Sequence, residues 1–279
     1  MKISAIIVWY KPSADHIQNT IRLAKRLNNI IIIDNSENQN TFSLGEYDNI
    51  TYIPLGRNYG IAHALNIGCQ TAIRSYDEFV LMLDQDSSFE NDQLLRHVRQ
   101  SEDLFVDPRL ALIGPTYLPK KNPNFVKAES VITSGSIMRL SCWELIGGFN
   151  EILFIDQVDH EFCYRLVRNN FYIIKNEFIS FNHTIGNPIS IFLLGKRFTS
   201  LNYSPERRYY MTRNRLYMRS FYADFPRPYI RLIIEDAIRI IMVEKDIFEK
   251  LKFMIYGILD HFKSKYGICL HTPLNKNQS

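Results

Sequence analysis

The chain has 279 residues, 46% of them hydrophobic and 22% charged. This composition fits one large globular domain, with or without a helical appendix, and excludes a mainly disordered chain. Residues 1–195 hold 17 basic and 21 acidic side chains, a balance of −4, whereas residues 196–279 hold 16 and 8, a balance of +8. This asymmetry predicts an anionic partner for the last third, such as lipid headgroups, a phosphate-bearing substrate or nucleic acid.

Cysteine spacing and the length of apolar runs narrow the class of protein further. The four cysteines form no Cys-x-x-Cys pair, which disfavours a metal knuckle or a disulfide framework and favours reduced thiols in a cytosolic protein. The first apolar run ends at Lys11-Pro12-Ser13 without a signal-peptide cleavage pattern, and no segment reaches the roughly 18 apolar residues of a membrane span. We therefore expect a cytoplasmic protein that does not cross a bilayer.

Strands and helices alternate through the first 113 residues. The apolar run from Ile3 to Trp9 is typical of a buried parallel strand, and similar runs predict strands at 30–33, 50–53, 79–83 and 110–113. Helical spacing of apolar residues predicts helices after Pro12-Ser13, over 60–76 and over 92–104. This alternation predicts an α/β fold with a mostly parallel, Rossmann-like sheet covered by helices on both faces.

The pattern changes after residue 114. We predict a strand over 131–140, a helix over 156–169 and an extended segment over 171–181, followed from Glu206 by basic helices. Two of these last helices, over 229–242 and 248–262, are amphipathic. They either pack on the rest of the protein or on another subunit, or they rest on an anionic membrane.

Acidic residues follow two of the predicted strands, Asp34 after the second and Asp84 and Asp86 after the fourth. In open parallel sheets, ligands bind outside the carboxyl ends of the strands. Two carboxylates one residue apart, as in Asp84-Gln85-Asp86, suit a hard divalent cation such as Mg²⁺ or Mn²⁺ that also binds substrate phosphates. The alternative is a turn with solvated acids.

A second acidic group, Asp156, Asp159 and Glu161, lies at the start of a predicted helix, where acids also favour the helix dipole. The residues before it, Leu153-Phe154-Ile155, are apolar, so these acids emerge from a packed segment and are candidates for a general base. His183 ends the extended segment. Its imidazole is a candidate ligand for Mn²⁺, although a lone histidine also fits a structural role.

In this order and spacing, the residues resemble the family 2 glycosyltransferases of the GT-A fold, and most closely their rhamnosyltransferase-like branch, with galactofuranosyltransferases nearby. The resemblance covers about residues 3–220. Ser87 stands where the family often has a further Asp, a form that fits the rhamnosyltransferase-like branch. The stretches that carry the resemblance are 6–12, 32–36, 57–62, 83–87, 147–151, 154–161 and 210–214.

The resemblance implies a role for each candidate residue. The nucleotide-sugar site would be formed by Trp9, Tyr10, Asp34, Asn58, Gly60, Asp84 and Arg213. The metal would be bound by Asp86 and His183, with Asp84 in or near its shell. Asp159 matches the catalytic base, and Asp156 and Glu161 would orient it or bind the acceptor.

The predicted activity is inverting, metal-dependent transfer of a sugar from a nucleotide-diphosphate donor to a saccharide acceptor in bacterial surface polysaccharide synthesis. The donor implied first is dTDP-rhamnose, with UDP-galactose, UDP-galactofuranose and UDP-glucose as alternatives. We expect a GT-A domain over 1–203, with nucleotide-sugar binding in about 1–115 and acceptor binding in about 116–203, and a basic helical region over 204–279. A lipid-diphosphate-linked acceptor, peripheral contact with the inner face of the plasma membrane and a homo-oligomer all fit this prediction.

Other protein classes fit less well. The segment before Ser87 also resembles the first motif of haloacid-dehalogenase-type phosphatases, but that motif usually opens the chain and here two βα units precede it. A non-catalytic scaffold is disfavoured because the acidic set and His183 are complete. A dinucleotide fingerprint, a P-loop and a nucleophile elbow are all missing from the sequence, and no interleaved aromatic and basic motif indicates nucleic acid.

Overall fold

The structure is a computed structural model that describes residues 1–38, 44, 47–89, 92–116, 120–181, 188–193, 196–225 and 227–272. The strands in these ranges are β1 Ile3–Trp9, β2 Ile30–Asp34, β3 Ile50–Pro54, β4 Phe79–Asp84, β5 Leu110–Thr116, β6 Phe125–Ala128, β7 Ile137–Arg139, β8 Tyr172–Ser180, β9 Ile189–Leu193 and β10 Lys196–Ser200. The helices are α1 Ala14–Ala24, α2 Ile61–Arg74, α3 Gln93–Leu104, α4 Leu140–Leu145, α5 Val158–Arg168, α6 Pro205–Phe221, α7 Tyr229–Val243 and α8 Ile247–Phe262.

The chain divides into two compact units. The first, which we call the sheet unit, comprises Met1–Asn150 and Val158–Thr184. The second, the helical unit, comprises Glu151–Gln157 and Ile185–Ser279. The segment Glu151–Gln157 thus belongs with the C-terminal helices, although in sequence it interrupts the sheet unit. The functional division at residue 203 stays a prediction.

An eight-stranded sheet in the order β3-β2-β1-β4-β7-β5-β8-β6 forms the centre of the sheet unit. The neighbours β3, β2, β1 and β4 are parallel, as are β5 and β8, whereas β7 and β6 run antiparallel to the strands beside them. The predicted α/β fold with a mostly parallel sheet is therefore confirmed.

The apolar run of β1 is buried because helices cover both of its faces. Ala5, Ile7 and Trp9 belong to the same buried cluster as Ile17 of α1. Ile6, between Ala5 and Ile7, packs on the opposite face against Gly68 of α2. The contact is so close that a Cβ on Gly68 would lie 2.6 Å from the Cγ2 atom of Ile6. A strand buried on both faces is nearly continuous in apolar residues, which is the pattern seen from Ile3 to Trp9.

The predicted strand over 131–140 is wrong for most of its length. Only Ile137–Arg139 form a strand, because Ser134 and Gly135 form a turn in which Gly135 has a φ of +80°. The turn packs against β4, since the Gly135 N–H donates to the Met82 carbonyl at 2.7 Å and the Met82 N–H donates to the Ser136 carbonyl at 2.9 Å. The small residues at the centre of this stretch build a turn beside β4.

The helix predicted over 156–169 begins two residues later, at Val158. Asp156 and Gln157 have left-handed φ angles of +71° and +62°, and Phe154 has one of +65°. Left-handed backbone costs a residue with a side chain about 1–2 kcal/mol, so surrounding contacts must hold this turn.

The helical unit packs α6 against α8 and α7, and the predicted basic helices are present. Its core includes an aromatic cluster that contains Phe154, Tyr209, Tyr210 and Phe253. Among the described residues, no helix is both long and apolar enough to span a bilayer.

Helix α8 approaches the backbone of α6 closely at Gly257. A Cβ there would lie 2.6 Å from the backbone oxygen of Tyr209, and a backbone atom within a helix cannot rotate away. We expect Gly257→Ala to lower the free energy of unfolding by about 1–3 kcal/mol through overpacking, and hence to lower the midpoint of thermal unfolding. Ile255→Ala, at an exposed position two residues away, is the control, with an expected change within about 0.5 kcal/mol. Equal midpoints for the two variants would contradict this packing.

Candidate functional site

Strand register brings the first group of predicted acids to one edge of the sheet. Trp9 of β1 pairs with Asp34 of β2, and Val8 pairs with Asp84 of β4. Asp34 and Asp84 therefore lie two strands apart at the carboxyl edge, with backbones about 10 Å from each other by the usual strand spacing. This is the edge at which parallel sheets bind ligands.

Asp34 is 1% exposed and its carboxylate bonds within the sheet unit. Oδ2 accepts a hydrogen bond from the Tyr52 hydroxyl at 2.6 Å, and Oδ1 accepts one from the Ser36 N–H at 3.1 Å. Asp34 thus ends β2 and shapes the loop that follows.

Asn58 and Gly60 are tied to the end of β2 by a pair of amides. The Asn58 side-chain oxygen accepts from the Gly60 N–H at 2.9 Å and from Asn35 Nδ2 at 3.0 Å, while the Asn35 side-chain oxygen accepts from the Tyr59 N–H at 2.8 Å. Gly60 has a φ of +89°, a conformation that favours glycine, and directly precedes α2. The start of α2 is therefore held at the sheet edge.

Trp9 and Tyr10, both predicted to contact the nucleotide, have different surroundings at the end of β1. Trp9 is buried, and its Nε1 donates to Thr20 Oγ1 of α1 at 3.2 Å. Tyr10 is 40% exposed, and its hydroxyl donates to Glu37 at 3.2 Å. The Lys11 ammonium lies 3.2 Å from Glu37 Oε2, and hydrogen bonds to Tyr10 and Glu37 raise the pKa of Lys11.

Asp84 is the last residue of β4 and Asp86 lies in the turn that follows, and both are half-buried. The Asp84 N–H donates to the hydroxyls of Ser87 and Ser134, each at 3.2 Å, and these two hydroxyls bond to each other. Asn19 Nδ2 donates to the Ser87 carbonyl at 2.8 Å and to the Gln85 carbonyl at 3.3 Å. We call residues 84–87 the acid turn.

The donor set of the acid turn fits a hard divalent cation, because two carboxylates at a ligand-binding edge provide the oxygen ligands that such ions prefer. In the part of the chain that the structure describes, no group of three or more His, Cys, Asp or Glu side chains is arranged to hold a metal ion. His183 lies outside the described residues. A cation at this turn would therefore need ligands beyond Asp84 and Asp86, such as substrate phosphates.

The residues of the second acidic group, Asp156, Asp159 and Glu161, have different contacts. Asp159, half-buried in the first turn of α5, accepts the His160 N–H at 2.8 Å. Glu161 is 1% exposed and forms a bidentate pair with Arg165, at 2.8 Å to Nε and 2.9 Å to Nη2. Arg165 in turn donates to the carbonyls of Ile146 and Gly148 at 2.7 and 2.6 Å. Glu161 therefore orders the loop before residue 150 through Arg165.

Asp156 and Arg213 belong to the helical unit. Arg213 is buried, and its Nη2 donates to the carbonyls of Ile152 and Leu153 at 3.2 and 3.1 Å. Nδ2 of Asn214 donates to three carbonyls at 2.7–3.0 Å, those of Ile155 and Asp156 and that of Leu153, which Arg213 also contacts. Hydrogen bonds worth about 1 kcal/mol each are of the size needed to offset the left-handed residues of this turn.

The structure thus brings Asp34, Asn58, Gly60, Asp84 and Asp86 to the carboxyl edge of one sheet, whereas the buried side chains of Glu161 and Arg213 hold neighbouring loops by hydrogen bonds. Sequence reasoning missed the polar residues that hold this edge, namely Asn19, Asn35, Gln85 and Ser134. Asn35 and Gln85 carried a signal, since each lies beside a predicted acid. Asn19 and Ser134 carried none, because their partners are distant in sequence.

A mostly parallel sheet with acids at the carboxyl ends of β2 and β4 fits the predicted GT-A fold. Residues 4–150, which are 147 of the 279, match the model of glycosyl transferase family 2, and the chain belongs to that family. This confirms the family and the fold predicted from the sequence. Asp159 lies beyond the matched range.

Two curated proteins are similar in sequence. The dTDP-rhamnosyl transferase RfbF of Shigella flexneri is 29% identical over 233 residues, which cover 76% of this chain and 78% of that protein. The low-salt glycan biosynthesis hexosyltransferase Agl10 of Haloferax volcanii is 27% identical over 192 residues, which cover 60% and 62%. The predicted likeness to rhamnosyltransferases is confirmed by the first of these.

Two solved structures show the same fold at low sequence identity. GalNAc-T7, solved with UDP, GalNAc and Mn²⁺, has a TM-score of 0.54 at 13% identity, and S. aureus TarS has a TM-score of 0.50 at 16% identity. Each match covers 94% of this chain, but the chain spans only 58% and 44% of those proteins. These likenesses support the fold alone.

A buried histidine beside the Ser134-Gly135 turn makes the stability of the protein depend on pH. His97 Nε2 lies 3.0 Å from the Gly135 carbonyl, and burial lowers the pKa of His97 to about 4 from its usual 6.5. The unfolded chain therefore binds a proton at a higher pH than the folded chain. We expect the stability contributed by neutral His97 to be complete above pH 6.5 and to be lost as the pH falls toward 4, by about 3 kcal/mol.

This prediction is checked by chemical unfolding between pH 7 and pH 4. His97→Gln cannot titrate and should show a flatter dependence on pH, whereas Gln70→Ala, at an exposed position in α2, should keep the wild-type dependence. A wild-type slope in His97→Gln would contradict the assignment.

Proposed function

We propose that this family 2 glycosyltransferase is metal-dependent and inverting, and that it transfers a sugar from a nucleotide-diphosphate donor to a saccharide acceptor. The observation that carries the proposal is the acid turn at the carboxyl end of β4, two strands from Asp34. Donor binding is proposed for residues 1–115 and acceptor binding for 116–203, with 204–279 as a basic helical region.

The donor proposed first is dTDP-rhamnose, and the similarity to RfbF, a dTDP-rhamnosyl transferase, supports it. UDP-galactose, UDP-galactofuranose and UDP-glucose are the alternatives, and the similarity to the hexosyltransferase Agl10 favours a hexose of some kind. The setting proposed is synthesis of a bacterial surface polysaccharide such as an O-antigen.

At the donor site, the backbone around Trp9 and Tyr10 would contact the base and ribose, and Asn58 and Gly60 would shape the pocket. Because both oxygens of Asp34 accept hydrogen bonds from neighbouring groups, we assign it to holding the loop that faces the nucleotide. Because Arg213 bonds to carbonyls of the turn at 152–153, we assign it to holding that turn in preference to binding the diphosphate.

The proposed metal, Mn²⁺ or Mg²⁺, would be held by Asp86, with Asp84 in or near its shell and His183 as a further ligand. When bound, such a cation stabilises the negative charge of a departing diphosphate. The two carboxylates of the acid turn support this assignment, since their backbone is fixed by Ser87, Ser134 and Asn19.

Asp159 is proposed as the general base. Its carboxylate would take the proton of the acceptor hydroxyl while the oxygen of that hydroxyl forms a bond to the anomeric carbon. The bond from that carbon to the phosphate oxygen breaks, and the nucleoside diphosphate leaves with the electron pair. A single displacement of this kind inverts the anomeric configuration. Asp156, which lies three residues before Asp159, is proposed to help bind the acceptor.

The base assignment predicts that Asp159→Asn lowers transfer by about 10²–10⁴-fold and leaves donor binding within about twofold, because an amide cannot take the proton but has the same shape. Transfer is measured as release of the nucleoside diphosphate from dTDP-rhamnose and from the three UDP-sugars, each with Mn²⁺ and a lipid-diphosphate-linked saccharide as the acceptor, above the release seen without acceptor. Binding is measured as thermal stabilisation by dTDP or UDP, which a partner of the folded state produces by mass action.

Asp103→Asn, at an exposed position of α3, is the matched control and should retain wild-type transfer. If Asp159→Asn loses nucleotide binding as well, the base assignment is wrong. If the folded wild-type protein shows no metal-dependent stabilisation with either nucleotide, the proposed activity is wrong.

We further propose that the protein works at the inner face of the plasma membrane, on a saccharide that is carried by a lipid diphosphate. The outer faces of α7 and α8 support membrane contact. Ile234, Ile238 and Ile241 form an exposed stripe on α7, and Phe248, Ile255, Leu259 and Phe262 form one on α8. Exposed basic residues accompany them, namely Arg231, Arg239, Lys245, Lys252 and Lys263. We call this set the apolar-basic face, and its charge matches anionic headgroups.

The apolar-basic face predicts binding to vesicles that contain phosphatidylglycerol and much weaker binding to phosphatidylcholine vesicles, with attraction that falls as salt rises. In a sedimentation assay, Ile238→Asp should lower binding at least severalfold. Val106→Asp, at an 83% exposed apolar position in the sheet unit, should not. Vesicle-independent dimerisation that Ile238→Asp abolishes would assign the face to a second copy of the chain and contradict membrane contact.

A further inference from the structure

The side chain of Gln85 bonds to both backbone groups of Tyr10. Its Oε1 accepts the Tyr10 N–H at 2.9 Å, and its Nε2 donates to the Tyr10 carbonyl at 3.2 Å. Gln85 is the residue between the two acids of the acid turn. A primary amide that pairs with a peptide in both directions imitates the neighbouring strand of a sheet.

This pair stands where the strand ladder stops. The register of β1 with β4 ends at Val8 and Asp84. Tyr10 lies two residues beyond Val8, and Gln85 lies one residue beyond Asp84. The Gln85 amide therefore continues the connection between the two strands past their last backbone pair.

Both ends of this connection are anchored. On one side, Lys11 N–H donates to the Ser36 hydroxyl at 2.8 Å and the Tyr10 hydroxyl donates to Glu37, so the loops after β1 and β2 form one surface. We call residues 10–11 with 36–37 the nucleotide loops. On the other side, Asn19 holds the carbonyls of Gln85 and Ser87 and thus the acid turn.

We propose that Gln85 is a positioning residue that couples the nucleotide loops to the acid turn, so that one side chain sets the affinity for both nucleotide and metal. This inference rests on the proposed function. Within the part of the chain that the structure describes, the side chain of Asn19 donates to the acid turn, so we assign Asn19 to the metal side.

A coupling role for Gln85 and a role confined to the acid turn predict different effects on binding. A residue that merely stabilises its own turn changes metal binding alone. A residue that couples the two sides changes both nucleotide binding and metal binding. Loss of two neutral hydrogen bonds is of the size that changes a binding constant by about three- to tenfold.

The experiment compares the full-length wild-type chain with Gln85→Ala and Asn19→Ala. Binding of dTDP and UDP is measured by calorimetry in the presence of a chelator, and binding of Mn²⁺ to the nucleotide-saturated protein is measured from the paramagnetic resonance of the free ion. Gln70→Ala, at an exposed glutamine of α2, is the matched control. The thermal unfolding midpoint of each variant reports whether its fold is retained.

We expect Gln85→Ala to weaken nucleotide and Mn²⁺ binding by about three- to tenfold each, Asn19→Ala to weaken only Mn²⁺ binding, and Gln70→Ala to weaken neither. A change in only one of the two constants in Gln85→Ala, or in neither, overturns the coupling. The coupling is also overturned if both Gln85→Ala and Asn19→Ala unfold at a lower temperature and both lose nucleotide and Mn²⁺ binding. A wild-type chain that binds neither nucleotide nor Mn²⁺ contradicts the proposed function itself, and the coupling with it.

Discussion

Parallel pairing of β1 with β2 on one side and with β4 on the other is the constraint on which the candidate site depends. Parallel strands end at the same edge of a sheet, so the residues that follow them meet there although about 50 residues separate Asp34 from Asp84. Strands of this kind need crossover connections, and α1 and α2 provide cover for the two faces. The apolar character of β1 is thus a consequence of the same arrangement that gathers the acids.

Polar side chains hold the edge that the strands create. Backbone groups past the last ladder pair need hydrogen-bond partners, and here amides and hydroxyls supply them: Gln85 for Tyr10, Asn35 and Asn58 for the start of α2, and Ser134 for Asp84. Each of these bonds is worth only about 1 kcal/mol, but together they leave the loops little freedom. A ligand site gains affinity when its groups are already in place before binding.

The helical unit contains a turn with left-handed residues that is held by buried side chains. The turn at 151–157 contains three left-handed residues with side chains, and Arg213 and Asn214 bond to its carbonyls from α6. Asp159 lies two residues after this turn in the sequence. Backbone strain that is held by buried hydrogen bonds is frequent at functional sites, which agrees with the role proposed for this part of the chain.

The sequence alone predicts the strands β1 to β5, the helices between them and the basic helices at the end. These elements are predictable because burial of one or two faces produces a periodic pattern of apolar residues within a short stretch of sequence. Asp34 and Asp84 also stand out, since each directly follows an apolar run, and Asp86 and Asp159 lie three and four residues after such runs end. The tertiary structure decided what those residues touch. The Ser134-Gly135 turn beside β4, the pair of Glu161 with Arg165 and the bonds of Arg213 all join residues whose partners depend on packing. Hydrogen bonds between distant segments leave no period in the sequence, so they become visible only when the chain is folded.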